Sequence, residues 1–212
     1  MRPSHILWDF NGTVLDDLAP CIKSINELLK KYGLPELSDA ERYKEVFEFP
    51  VQNYYAKIGF DFDKTSFDIL AVEWVDLYNK YNEPLKLCPN VVKALKAVRK
   101  AGIPQLILTA SKTEMVQDQL SRLGIGGYFD GIIGLDNIHA RGKSDIALEW
   151  KNKVKPENPV MIGDTEHDAE VADLIGAKCL LVSCGHMSAE RLKPLKPVFS
   201  DPYDAVSHLF KE

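Results

Sequence analysis

Three short stretches of the 212-residue chain gather carboxylates and small hydroxyls at points where apolar runs end. Asp9-Phe10-Asn11-Gly12-Thr13 follows Ile6-Leu7-Trp8, Thr109-Ala110-Ser111 follows Leu106-Ile107-Leu108, and Gly163-Asp164-Thr165-Glu166-His167-Asp168 follows Val160-Met161-Ile162. If each run is a buried strand, each stretch lies at a strand's carboxyl end, where open α/β sheets bind their ligands. Gly12 lets the chain turn away sharply, which presents an Asp, an Asn and a Thr around one point. A lone Asp after a strand is most often only a helix cap. Three such ends, two of them acidic, indicate a binding site.

The elements that must position these residues are legible as apolar periodicity. Short runs at residues 4–8, 103–108, 131–134, 159–162 and 179–182 fit strands buried on both faces, as in a parallel sheet. Helical patterns lie between them, built on Val91, Val92, Leu95 and Val98, on Met115, Val116, Leu120 and Leu123, on Ile146, Ala147 and Trp150, and on Val171, Leu174 and Ile175. Gly102, Gly124 and Gly176 sit just past three of these, where a C-terminal cap belongs. The alternation predicts an α/β, doubly wound parallel sheet. Residues 16–86 break it, because only helices are read there, at 18–32, 38–47, 51–58 and 64–81. A right-handed crossover needs one helix. Four of them predict a small helical domain, 16–86, inserted into a core made of 1–15 and 87–212.

Composition removes several function classes. The chain carries 26 basic and 31 acidic residues, a net charge of −5, and no Lys/Arg cluster of the kind that tracks a phosphate backbone, so no nucleic-acid partner is expected. The longest apolar runs, residues 69–72 and 179–182, are far too short to span a bilayer, so no membrane partner is expected either. An acidic residue, Asp9, interrupts the N-terminus before a signal-peptide core could form. Cys21, Cys88, Cys179 and Cys184 have no zinc-like spacing and read as reduced thiols. A cytoplasmic location is the expectation.

In these motifs the sequence resembles the haloacid dehalogenase superfamily of phosphatases and related hydrolases. Asp9-Phe10-Asn11-Gly12-Thr13 matches its first motif, Asp-x-Asp-Gly-Thr; Thr109 closes a hydrophobic strand like the second; Lys143 opens a helix like the third; Gly163-Asp164 through Asp168 matches the fourth. The inserted helices resemble the cap of the phosphoglycolate phosphatase branch. The resemblance implies a Rossmann-like core of strand order 5-4-1-2-3, with Asp9 and Asp164 on neighbouring strands. It also implies Mg²⁺ as cofactor, a small phosphorylated metabolite as substrate, and Asp9 as the nucleophile that forms an aspartyl phosphate. Asp9, the backbone carbonyl of Asn11, Asp164 and Asp168 are the implied metal set. Lys143 and Thr109, with Ala110 and Ser111 beside it, are the implied phosphoryl-binding set. Phe49, in the stretch Phe47-Glu48-Phe49-Pro50-Val51, is expected to hang over the site and help select the substrate. That stretch has no Lys or Arg to read a second anionic group.

One position departs from the pattern. The second acidic residue of the first motif protonates the leaving alkoxide in the family's phosphatases, and here it is Asn11, an amide that cannot titrate. Losing a positioned acid or base costs about 10²–10⁴ in rate. Three readings follow: an enzyme for activated substrates such as acyl phosphates, an enzyme in which another group such as His167 takes over, or a catalytically impaired protein that binds a phospho-ligand.

Overall fold

Ile6, Leu7 and Trp8 have no solvent exposure because their strand lies at the centre of the sheet. The structure is a computed structural model that describes residues 2–135 and 142–211. In chain order its elements begin with β1 (His5–Trp8), α1 (Leu18–Lys31), α2 (Ala40–Val46), α3 (Val51–Lys57), α4 (Phe67–Tyr81), α5 (Val91–Lys100), β2 (Gln105–Lys112) and α6 (Thr113–Arg122). They continue with β3 (Gly131–Leu135), α7 (Lys143–Val154), β4 (Pro159–Gly163), α8 (Glu166–Ile175), β5 (Lys178–Val182), α9 (Ala189–Leu192), β6 (Val198–Phe199) and α10 (Pro202–Leu209).

The strands form one parallel sheet in the order β3-β2-β1-β4-β5-β6. This is the expected 5-4-1-2-3 order, with β6 added beside β5. Period-two alternation sends successive side chains to opposite faces. Ile6, Trp8, Ile107, Val160, Ile162 and Leu180 meet α5, α6 and α10 on one side, while Leu7, Leu108, Met161 and Leu181 meet α7 and α8 on the other. Each fully buried Ile or Leu contributes roughly 1.5–3 kcal/mol of hydrophobic stabilisation. Trp8 also donates from Nε1 to Gln105 Oε1 (3.1 Å), and the Gln105 amide donates to Leu95 O (3.2 Å). Both buried polar groups are thereby satisfied, and β1 is tied to β2 at the centre of the core.

The four helices of residues 16–86 pack mainly on one another, around Ile25, Leu28, Leu29, Tyr43, Tyr55 and Leu70. The chain enters and leaves this bundle through a narrow antiparallel ribbon, in which Asp16 N donates to Lys86 O (2.9 Å) and Cys88 N to Val14 O (3.0 Å).

Three features depart from the sequence expectations. β2 continues through Thr109, Ala110 and Ser111, with a shift of register against β3 between Leu108 and Lys112, so these residues belong to the end of the strand and not to the loop after it. β6 and α9 are too short to show a period. α10 had a signal, since Asp201 caps it by accepting from Tyr203 N (2.8 Å) and Asp204 N (3.0 Å) with Pro202 opening the helix. Among the described residues no helix is long and apolar enough to cross a membrane.

Gly12 sits at φ +77°, and a Cβ there would overlap the Asp164 carboxylate and the His186 ring. Gly124 has a similar φ of +68° with nothing within 4 Å of the same position. Gly124→Ala should therefore show only the left-handed backbone cost, about 1–2 kcal/mol. Gly12→Ala should add an overpacking cost of about 1–3 kcal/mol. Urea midpoints of the two variants measure the difference, and equal losses would mean that the site yields freely around Gly12.

Candidate active site

The carboxyl end of β1 delivers Asp9, whose backbone N–H donates to Ile162 O of β4 (2.8 Å) and so fixes the two strand ends side by side. Phe10 then dives into the core, and its carbonyl takes the N–H groups of Val14 (2.9 Å) and Leu15 (2.8 Å), closing the loop around Gly12. From the neighbouring β4, Asp164 accepts from Thr13 Oγ1 (3.0 Å) and from the His186 backbone N–H (2.6 Å). Asp168 stands in the first turn of α8, where Thr165 and Asp168 form a reciprocal capping box. Its Oδ2 accepts from the N–H groups of Asp164 and Thr165 (both 3.0 Å) and from Thr165 Oγ1 (2.7 Å). A side chain on Gly163 would overlap Asp168, so that position tolerates only glycine.

Carboxylate oxygens of Asp9, Asp164 and Asp168 all lie within 4.8 Å of one another. Lys143, the first residue of α7 and 4% exposed, reaches into the group and donates to Asp9 Oδ1 and to Asp168 Oδ1 (2.5 Å). Burial and the neighbouring Asp168 push the Asp9 carboxyl well above its ordinary range. Burial likewise lifts Asp164, to about 6. Asp168 stays below the usual value because Lys143 and the Thr165 donors outweigh its burial. Burial opposes the Lys143 charge, yet Asp168 and Asp9 hold that ammonium above the usual lysine range. Three carboxylates thus share one ammonium, and two of them resist ionising. That surplus of hard oxygen donors fits a divalent cation such as Mg²⁺.

The rest of the expected set is brought to the same cavity, of about 510 Å³, between the strand ends and the helical bundle. Thr109 is buried with its Oγ1 accepting from Ser111 N (3.1 Å), Ala110 is exposed to the cavity, and Phe49 lines it from the bundle. The Asn11 side chain has other partners than the three acids: Oδ1 accepts from Ser111 Oγ (3.0 Å), and Nδ2 donates to Asp17 Oδ2 (2.7 Å). His167 also lines the cavity, but its ring lies against Phe49 (5.2 Å between centroids) and its Nδ1 is 3.3 Å from the exposed Glu170.

The family model for haloacid dehalogenase-like hydrolases matches residues 6–182, which include Asp9, Asn11, Phe49, Thr109, Lys143, Asp164 and Asp168. The chain belongs to that family. Among curated relatives it is 23% identical over 208 residues to a phosphoglycolate phosphatase from Vibrio vulnificus, covering 92% of this chain and 90% of the relative. A phosphoglycolate phosphatase from Rhodobacter capsulatus is 24% identical over 215 residues, covering 100% and 92%. A solved haloacid dehalogenase-like hydrolase from Streptococcus pneumoniae shares the fold, with a TM-score of 0.76, 23% identity and 98% of each chain covered.

Behind the acids of this haloacid dehalogenase-like site lies a second polar layer that sequence reasoning missed. Asp17, 1% exposed, pairs with His186 (Oδ1 to Nε2, 3.1 Å), while its oxygens also accept from Gly12 N (3.0 Å) and Tyr78 Oη (2.9 Å). The other ring nitrogen of His186 meets Tyr43 Oη (3.1 Å). Burial opposes both charges of the pair, and mutual attraction overcomes it: His186 is raised to about 9 and Asp17 is lowered. A signal for His186 existed. The run at residues 179–182 ends in Ser183-Cys184-Gly185-His186, a fourth strand end with a chemically active residue. Asp17 had none, because an Asp before a helix reads as an ordinary cap.

His186→Ala leaves the Asp17 charge buried without its counter-ion, which should cost about 3–5 kcal/mol near neutral pH. A histidine with a raised folded value stabilises fully below its unfolded value of about 6.5, and loses that contribution as pH climbs through about 9. The gap between wild type and variant, read from urea midpoints in EDTA, should therefore narrow from pH 7 to pH 10. A gap that stays constant would remove the charge from the pairing.

Proposed function

We propose that the protein is a Mg²⁺-dependent phosphatase of small phosphorylated metabolites, working through an aspartyl phosphate on Asp9. The observation that carries this reading is the Asp9 carboxylate at the end of the central strand, bound to Lys143 and within 4.8 Å of two further carboxylates. The phosphatases among its relatives add support.

Asp9, Asp164 and the backbone carbonyl of Asn11 would hold the cation, with Asp168 behind them. Bound there, Mg²⁺ would offset the charge of the phosphoryl oxygens, which otherwise repel an attacking carboxylate. Asp9 Oδ forms the bond to phosphorus as the bond to the leaving oxygen breaks with its electron pair. Water then attacks the same phosphorus, releasing phosphate and restoring the carboxylate. Lys143 keeps Asp9 aimed and balances the acids. Thr109, Ser111 and the N–H groups around Ala110 bind the remaining phosphoryl oxygens. Residues 16–86 act as a cap over a core of 1–15 and 87–212, hinged at the ribbon of residues 14–16 and 86–88, and closing it excludes water from the reaction.

Asn11 favours a second reading, binding of a phospho-ligand without turnover. Mg²⁺-dependent release of phosphate from a panel of phosphorylated metabolites separates the two. On the first reading Asp9→Ala abolishes turnover and Asp164→Ala loses its response to Mg²⁺. A tenth of the activity surviving in Asp9→Ala would remove Asp9 from the nucleophile's role.

Without a titrating group at residue 11, acyl and aryl phosphates should turn over faster than sugar or glycolate phosphates. In Asn11→Asp the new carboxyl stands beside Asp17, and two carboxyls at hydrogen-bond distance retain a proton between them. That proton supplies the missing acid. Alkyl-ester turnover should rise by up to roughly a hundredfold, and acyl-phosphate turnover by less. Intact mass must accompany the kinetics, because Asn11-Gly12 is prone to deamidation. Rapid alkyl-ester turnover by undeamidated protein, with no gain in Asn11→Asp, would place the proton source elsewhere.

A further inference from the structure

We infer that the leaving group this site accepts is an uncharged aromatic ring, so that its substrates are aryl phosphate monoesters. The inference rests on the phosphatase reading and names the substrate class within it.

Two independent features of the cavity converge on this class. The first is its wall. Opposite the acids, the bundle presents Phe47, Phe49, Tyr54, Tyr55, Trp74 and Tyr78. These rings already pack on one another: Phe47 meets Phe49 edge-on at 5.4 Å, and Trp74 stacks on Tyr78 at 5.1 Å and 19°. An aromatic guest extends that packing, and a cavity of about 510 Å³ holds one or two rings beside a phosphoryl group.

The charge of the described lining disfavours the competing guests. Among the described residues that line the cavity, Lys143 is the one Lys or Arg side chain, and it is committed to Asp9 and Asp168. His186 spends its charge on Asp17. A carboxylate or second phosphate on the leaving group would meet, among the described lining residues, an aromatic enclosure with no uncommitted Lys or Arg, which is costly. The carboxylate of phosphoglycolate is such a group.

The second feature is Asn11. An alkoxide needs a proton to depart, whereas a phenolate has a conjugate acid near 10, as in tyrosine, and leaves unaided. In the first step the Asp9 Oδ–P bond forms and the P–O(aryl) bond breaks, with the electron pair passing to the aryl oxide, which takes its proton from solvent. Water then attacks phosphorus, the Asp9 Oδ–P bond breaks, and inorganic phosphate leaves. Acetyl phosphate shares the good leaving group but has no ring, so it separates the wall's contribution from the chemistry.

The test is steady-state kinetics with Mg²⁺ on 2-naphthyl phosphate, acetyl phosphate and phosphoglycolate, for wild type, Trp74→Ala and Trp74→Phe. Naphthyl phosphate should give the highest kcat/KM. Trp74→Ala should raise its KM by roughly tenfold, the worth of a lost aromatic contact. The KM for acetyl phosphate should stay within about twofold, and Trp74→Phe should restore most of the loss. Preference for phosphoglycolate or acetyl phosphate overturns the inference, as does an equal rise of KM for every substrate. If nothing is turned over, the phosphatase reading itself has failed, and calorimetry with phenylphosphonate and methylphosphonate still decides on the wall. Tighter phenylphosphonate binding, weakened in Trp74→Ala, supports the aromatic subsite; equal affinities overturn it.

Discussion

Three carboxylates cannot be buried within 4.8 Å of each other unless something absorbs their charge, and that constraint shapes everything around the strand ends. At such separations two like charges repel by a few kcal/mol even at a dielectric of 20. Lys143 supplies the central counter-charge by bridging Asp9 and Asp168. The N-terminal N–H groups at α8 supply more, through the donors on Asp168 Oδ2. Close approach is the steric side of the same requirement. A Cβ on Gly12 or Gly185 would overlap Asp164, and one on Gly163 would overlap Asp168, so the backbone comes near the acids only where side chains are missing.

The layer built on Asp17 carries this electrostatic order outward into the bundle. Asp17 binds Tyr78 of α4 and pairs with His186, which meets Tyr43 of α2; His186 in turn donates its backbone N–H to Asp164. A hydrogen-bonded path therefore runs from the acids of the sheet to two separate helices. Arg191 of α9 reinforces it by donating to Lys44 O (2.9 Å) and Phe47 O at the end of α2, and Lys44 donates to Ser183 O (3.2 Å). These bonds hold Phe47 and its neighbours over the strand ends. The position of the aromatic wall is thus set by polar contacts whose own geometry depends on the acids below.

The parts of this arrangement visible in the sequence are those in which neighbours along the chain share one cause. Ile6-Leu7-Trp8 reads as a buried strand because burial on both faces of a parallel sheet leaves no polar position, and Asp9 at once marks its end. The apolar residues of α1, Leu18, Ile22, Ile25, Leu28 and Leu29, recur at helical spacing for a similar local reason, since all five pack into the bundle core. Asp17 and His186 are 169 positions apart, and neither has a local pattern that implies the other. Their pairing depends on how the bundle sits on the sheet, which the motif spacing does not encode. His167, near Asp164 and Asp168 in sequence, lines the same cavity, with its ring against Phe49 and its Nδ1 near Glu170, contacts that its position in the sequence does not foretell.

Asn11 takes on a different meaning beside Asp17 than it has alone. Read by itself, it is a lost carboxylate. In the fold its amide donates to Asp17 Oδ2, whose other partners are the Tyr78 hydroxyl and, more weakly, the Cys21 thiol (3.6 Å). A charged carboxylate at residue 11 would replace that donor with a like charge at the same distance, and His186 could balance only one of the two. Asn11 and Asp17 are therefore a matched pair: the negative charge resides at residue 17, and residue 11 is the neutral donor that it requires. The carboxylate at residue 17 lies one layer back, where it binds Asn11, Tyr78 and His186. A pocket arranged in this way has no titrating group at residue 11, and on the proposed phosphatase reading that suits a leaving group, such as a phenolate, that departs without a proton.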